Sequence, residues 1–216
     1  MFEEGPDFDD EEVWPPPSPE SFVRTALIFY GVMGCLALVW RMWMPGASIL
    51  HPESHTGGLD GLGFAIGCGA GLGLVSIAFS EWMTRSTKLG EALADTLGDS
   101  LMGLGRADAS LRAIARGSAE GMLFRGALQP AVGSAWASIA FGACHFLPRK
   151  ELALWSLWAV GMGFLLGGLY EWTGHLAAPI AAHSVINGVN LPRLARRAEE
   201  RAAERQSASS RDDDEI

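Results

Sequence analysis

Apolar residues gather in long runs separated by short polar breaks, a pattern that predicts membrane helices rather than the evenly charged surface of a soluble domain. The first run, about 22–43, has Arg24 near one end and Arg41 and Trp43 at the other, and is long enough to cross about 30 Å of hydrocarbon. The second, about 62–80, carries Gly63, Gly67 and Gly71 at spacing four and a second pair, Gly69 and Gly73, so faces of close backbone approach are expected there. In the mixed stretch 81–117, Leu89, Leu93, Leu97 and Leu101 recur at helical spacing among basic and acidic residues, which predicts an amphipathic helix at the membrane surface. Four further helices are predicted over about 111–128, 132–146, 152–172 and 176–191, with Pro130 closing the first and Gly163 and Gly167 forming a packing pair in the third. Tyr170 and Trp172 are expected at a membrane interface. The predicted class is all-α: a polytopic membrane protein of about six transmembrane helices with one surface helix.

Composition agrees with this division. Of 216 residues, 49% are hydrophobic and 19% charged, with 27 glycines, and the charge sits mostly at the ends. Residues 1–20 hold eight acids and the run Pro15-Pro16-Pro17-Ser18-Pro19, so an extended, disordered segment is expected, followed by a membrane domain over 21–192 and a charged, disordered tail over 193–216. The net charge of −9 comes from those ends and argues against a nucleic-acid surface. Acids stand where a signal peptide would have a basic region, so the first helix is expected to remain. Lys and Arg occur in 81–117, at Arg149 and Lys150 and in the tail, and are absent from 44–58, 129–135 and 173–176, which puts both termini in the cytoplasm. Cys35, Cys68 and Cys144 show no CxxC spacing and are read as small buried fillers. His51 and His55 are four apart, but Pro52 between them favours a solvated loop over a helical metal pair.

The chemistry lies in polar residues that interrupt the apolar helices. Glu120 and Arg125 sit in Glu120-Gly121-Met122-Leu123-Phe124-Arg125, and neither charge belongs in such a segment unless it is paired or used. Phe141 and His145 share one helix face, as do His183 and Asn187. By the loop charges, Glu120, His145 and Asn187 fall toward the cytoplasmic ends of their helices, and His183 lies one turn deeper. A desolvated carboxylate can take a proton from water, imidazoles can share it, and an Asn amide can hold an oxyanion. Interhelical hydrogen bonding by the histidines, and a Glu–Arg pair that only locks helices, explain the same residues without catalysis. Cys144 adjoins His145, but neighbours in a helix do not face each other, so a Cys–His nucleophile is set aside.

At these residues the chain resembles the CAAX-processing and bacteriocin-processing (CPBP, Abi-type) intramembrane protease family, whose motifs read Glu-Glu-x-x-x-Arg, Phe-x-x-x-His and His-x-x-x-Asn. The first corresponds to 120–125, the second to Phe141 and His145, the third to His183 and Asn187, and the resemblance covers about 111–191. It implies that Glu120 activates the attacking water with His145 as its helper, that His183 and Asn187 steady the oxyanion, and that Arg125 and Phe141 support them. It assigns no metal or other cofactor, although Glu120, His145 and His183 would make a His2Glu zinc set. The chain departs from the first motif at Gly121, where the family has a second Glu. Arg125 thereby loses its acid one turn back, and Glu171, near the opposite interface, is not expected to replace it.

The expected function is therefore an intramembrane endopeptidase of a bacterial inner membrane. It would hydrolyse a peptide bond in a membrane-associated protein or peptide with glutamate-activated water, in a pocket that opens toward the cytoplasm. A non-catalytic scaffold or immunity protein of the same fold and a zinc-dependent intramembrane protease are the alternatives. A transporter would need polar groups across the whole membrane, and the outer side of the later helices offers only Glu171 and His175.

Overall fold

The computed structural model describes residues 19–44, 58–146 and 152–214, and these are helical almost throughout. In chain order they form α1 (Pro19–Trp43), α2 (Gly58–Ser86), α3 (Lys88–Asp99), α4 (Arg106–Glu120), a wider turn of helix over Gly121–Leu128, α5 (Gln129–Val132), α6 (Ser134–Ala143), α7 (Ala153–Thr173) and α8 (Ala177–Asp214). His51, His55, Arg149 and Lys150 lie outside the described residues, as do residues 1–18. The chain is a polytopic helical membrane protein. Among the described residues three helices, Val23–Trp43, Leu59–Ser86 and Ala153–Thr173, are long and apolar enough to cross a bilayer. The six crossings expected from the sequence are not all of that length: α6 has 10 residues, which rise only about 15 Å, half the hydrocarbon thickness.

α8 packs against α2, α3, α4 and α7, and small residues set how closely α2, α3 and α4 approach it. A Cβ at Gly69 of α2 would come within 2.1 Å of the Ala178 carbonyl oxygen, and one at Gly73 within 2.9 Å of Val185. On α4, a Cβ at Gly117 would meet the Ser184 hydroxyl at 2.6 Å. Without a hydrophobic driving force between helices in lipid, such backbone approach is what holds them together. The expectation for α2 needs correction here. Gly63, Gly67 and Gly71 have nothing within 4 Å of where a side chain would begin, so the packing face is carried by the shorter Gly69/Gly73 pair. The Gly163/Gly167 pair does pack: Gly163 lies against Ser138 of α6, and Gly167 against Ser134 and the Arg125 side chain.

Two further expectations change. The tail after Arg193 is not disordered but continues α8 through Pro192 to Asp214. Local sequence gives no warning of this, because the stabilising partners are distant in the chain. Arg197 pairs with Asp95 at 2.7 Å and Glu91 at 3.3 Å on α3, and Arg201 with Asp95 at 2.7 Å and Asp99 at 2.5 Å. Gly98 lets α3 lie against the Leu194 carbonyl, and Arg193 pairs with Glu81 at the end of α2. The cysteines are not buried fillers either: Cys35 and Cys144 are exposed and Cys68 partly so. An apolar side chain facing hydrocarbon needs no protein partner.

Pro130 does not end the helix it was expected to close: the chain stays helical from Leu128, at φ −72° and ψ −47°, through Pro130 to Val132. The chain turns instead at Gly133, whose φ of 84° suits glycine. Gly174, at φ 62°, similarly caps α7 by donating its N–H to the Tyr170 carbonyl, and so aims the chain into α8.

The glycine contacts predict that Gly69→Ala lowers the thermal stability of the detergent-solubilised protein by an amount corresponding to about 1–3 kcal/mol. Gly67→Ala, in open space two residues away, should leave the melting temperature unchanged or raise it slightly. Equal melting of the two variants would contradict this packing of α2 on α8.

Candidate active site

Arg112, Arg116 and Glu120 are spaced by four and so form a stripe along one face of α4. The third of these is 8% exposed, and a carboxylate so buried requires compensation. Arg116 supplies it, its Nε donating to Glu120 Oε1 at 2.8 Å. The same guanidinium reaches with Nη2 to His145 Nε2 at 2.5 Å. A guanidinium only donates, so His145 Nε2 carries a lone pair and its proton is on Nδ1, which donates to the Phe141 carbonyl at 2.7 Å. The second carboxylate oxygen, Glu120 Oε2, is buried without a hydrogen-bond partner among the described residues. It lies 3.6 Å from His183 Nε2 and 4.0 Å from His145 Nε2.

His183 and Asn187 come from consecutive turns of α8, and both are buried. The Asn187 Nδ2, an amide donor, is likewise buried with no acceptor among the described residues. Phe141 joins the three elements. Its ring packs edge-on against Phe124 at 5.1 Å, lies 4.6 Å from the His145 ring and 5.9 Å from that of His183, and has the Arg125 guanidinium 5.6 Å from its centre. The three motif segments thus meet at one place.

A cavity of about 600 Å³ opens onto this cluster. Arg116, His145, His183 and Asn187 contribute to its wall, and much of the remainder is apolar, including Leu93 and Leu97 of α3 and Trp155 and Trp158 of α7. Glu120 stands just behind that wall, next to Arg116 and His183.

Arg125 belongs to a separate node. The chain winds with i→i+5 hydrogen bonds over Gly121–Leu128, which brings residues five apart toward one face and lets Glu120 and Arg125 both turn inward. Arg125 is 1% exposed; its Nη1 donates to Gln129 Oε1 at 3.1 Å and to the Ser138 hydroxyl at 3.4 Å. Gln129 passes the contact on, donating from Nε2 to Glu171 at 2.8 Å and to the Gly167 carbonyl at 3.2 Å. The expectation that Glu171 lies too far away to help is therefore corrected: Gln129 carries the connection. Gly121, which replaces the family's second Glu, faces Ile180 of α8, and a Cβ there would stand 2.6 Å from Ile180 Cγ1. The volume a side chain would need at 121 is thus filled by α8.

No group of three His, Cys, Asp or Glu side chains among the described residues is placed to hold a metal ion. The zinc set considered from sequence fits poorly, since Arg116 already occupies the lone pair of His145 that a metal would need. Arg116 and Gln129 are the residues that reading the sequence missed. Arg116 could have been found from its position four before Glu120; Gln129 had only its position four after Arg125.

Residues 107–189 match the family model described as Type II CAAX prenyl endopeptidase Rce1-like. A Rce1-like CAAX-protease domain is present over that stretch. It begins just inside α4 and ends two residues beyond Asn187, so it contains the whole cluster around Glu120. The chain is also 47% identical over 73 residues to a Bacillus subtilis (strain 168) protein described as uncharacterized protein YpbD. That similarity covers 33% of this chain and 37% of the length of the relative. No solved structure matches the chain.

Because Arg125 has no carboxylate on its own helix turn and depends on Gln129 and Ser138, Arg125→Ala should destabilise the Rce1-like domain by about 3 kcal/mol or more, leaving buried polar groups unpaired. Arg125→Lys should lose less, since an ammonium can still reach one of the two acceptors. Yields from membranes and thermal melting of the two variants against wild type check this ranking, and identical melting of all three proteins would refute it.

Proposed function

We propose that the protein is an intramembrane endopeptidase of the glutamic type, hydrolysing a peptide bond in a membrane-associated protein or peptide. One observation carries the reading: a buried carboxylate oxygen, Glu120 Oε2, is left without a hydrogen-bond partner among the described residues and faces His183, beside a cavity whose wall also holds Asn187. The similarity of residues 107–189 to an endopeptidase family supports the same class of chemistry.

In this reading a water binds between Glu120 Oε2 and His183 Nε2. Glu120 removes one of its protons as the oxygen attacks the scissile carbonyl carbon. The C–O bond forms, and the carbonyl oxygen becomes an oxyanion that accepts from Asn187 Nδ2. When the C–N bond breaks, Glu120 returns the proton to the leaving amine, so one peptide bond and one water give a carboxylic acid and an amine. Phe141 holds both imidazoles in place, and Arg125 keeps the helix beneath them in register. The apolar part of the cavity suits a substrate segment entering from lipid.

In the same reading the protein lies in a bacterial inner membrane, and the distribution of Lys and Arg supports both termini on its cytoplasmic side with the pocket facing inward. Cysteine-accessibility labelling should therefore place residues near Arg149 and the C-terminal tail inside and the 44–58 loop outside. Termini on opposite sides would remove this topology.

Cleavage of co-expressed membrane-anchored reporter peptides, varied in sequence, tests the chemistry at matched membrane levels of enzyme. Glu120→Gln keeps size and hydrogen bonding but cannot take the proton, so cleavage should fall by about three orders of magnitude or more while folded protein accumulates normally. His183→Ala should behave similarly, and Asn187→Ala should lose about 10²–10³-fold, the usual cost of one oxyanion donor. A chelator should leave wild-type activity intact. Full processing by Glu120→Gln would end the glutamic reading in favour of a scaffold, and loss on chelation reversed by zinc would replace it with a metalloprotease.

A further inference from the structure

Neither the three family motifs nor the similarity to a protease domain gives a role to Arg116, yet it is hydrogen-bonded to two of the motif residues. It binds Glu120 through Nε and His145 through Nη2, and it lines the cavity. Resting on the endopeptidase reading above, we infer that Arg116 is a positioning residue that orients Glu120 and fixes His145 as the Nδ1–H tautomer, leaving Glu120 Oε2 and His183 Nε2 as the pair that shares the water.

Three consequences of geometry lead there. First, a carboxylate has two oxygens, and whichever one the guanidinium holds decides where the other points. With Oε1 bound by Arg116 at 2.8 Å, Oε2 is the free base, and the nearer imidazole to it is His183 at 3.6 Å rather than His145 at 4.0 Å. Secondly, the role of proton-sharing helper, which the resemblance gives to His145, is blocked at its Nε2 by a donor that cannot accept a proton. His145 is instead braced at both nitrogens, by Arg116 and by the Phe141 carbonyl, and its ring lies tilted against Phe141. Thirdly, the arrangement needs the two-pronged shape of a guanidinium. Nε and Nη2 reach two acceptors, one on α4 and one in the turn after α6, which an ammonium on a flexible stem satisfies only one at a time.

The role is separable from simple charge compensation. If Arg116 only neutralised Glu120, Arg116→Lys would be nearly as active as wild type. If it positions, Arg116→Lys should lose about 10-fold and Arg116→Gln about 100-fold in kcat, with KM for the membrane-anchored reporter peptide nearly unchanged, as expected when a charge-assisted hydrogen bond that orients the base is lost. Arg106→Gln, which removes an exposed guanidinium at the start of the same helix, serves as the control with wild-type kcat. In the cavity left by Arg116→Gly, millimolar guanidinium ion should restore part of kcat, whereas the same concentration of sodium should not. Equal kcat for wild type and Arg116→Gln in folded protein would overturn the proposal.

A second measurement is independent of turnover and so separates failure of this inference from failure of the endopeptidase reading. In ¹⁵N spectra of histidine-labelled protein in detergent, with His145 assigned by its loss in His145→Gln, the bonded proton should be on Nδ1 and Nε2 should be a hydrogen-bonded acceptor. In Arg116→Gly the Nε2 resonance should move toward that of a free lone pair and return on adding guanidinium. Finding the proton on Nε2 in wild type would refute the inference whatever the catalytic result. The expected spectra with no cleavage of any reporter would sustain the Arg116 geometry and count against the protease.

Discussion

A carboxylate taken out of water among helices must be compensated, and the arrangement of the site follows from how Glu120 meets that demand. Its compensation comes from its own helix, four residues back, through Arg116. A partner so close in sequence forms with the helix and asks for no particular placement of α6, α7 or α8. Only one carboxylate oxygen is consumed by it, so the other can face the histidine of α8. Had the cation come from a different helix, both oxygens could have been drawn into locking the bundle, with none left for chemistry.

Arg125 meets the same demand differently. Its cation is spread through Gln129 to Glu171 and shared with Ser138, a node that ties α5, α6 and α7 to the wide turn of helix. Gly121 explains why such a relay is present. With α8 packed against residue 121 through Ile180, there is no room for a carboxylate one turn before the arginine, and the acid is supplied from α7 instead. Charged residues are therefore kept apart by role, one cluster at the cavity and one beneath it, with the Phe141 ring between them.

The approximate helix positions, and the sharing of one face by Phe141 and His145 and by His183 and Asn187, were legible in the sequence, because each rests on local periodicity or on spacing within one element. The parts that were not legible depend on contacts between distant residues. Which glycines of α2 face α8 is decided by rotation of the helix about its axis, and the sequence offers two four-residue glycine series without choosing between them. The continuation of α8 past Pro192 depends on Asp95 and Asp99, a hundred residues earlier. Glu171 reaches the Arg125 node only because Gln129, which nothing in the motif singles out, spans the gap. Arg116 was hidden for another reason: among the basic residues of the 81–117 stretch it looked like part of a solvated face.

The widened turn over Gly121–Leu128 bears on how this chain can vary in length. Relative to an α-helix, an i→i+5 turn accommodates one additional residue without displacing what lies on either side. Removing a single residue between Met122 and Phe124 would let the segment relax to ordinary winding. Everything after it would keep nearly its present direction relative to Glu120, because four residues of ordinary helix turn the chain about as far as five of the wider one, and Arg125 would still face its polar node. This stretch can therefore lose one residue in a related chain while Glu120 and the arginine that follows it still share a face.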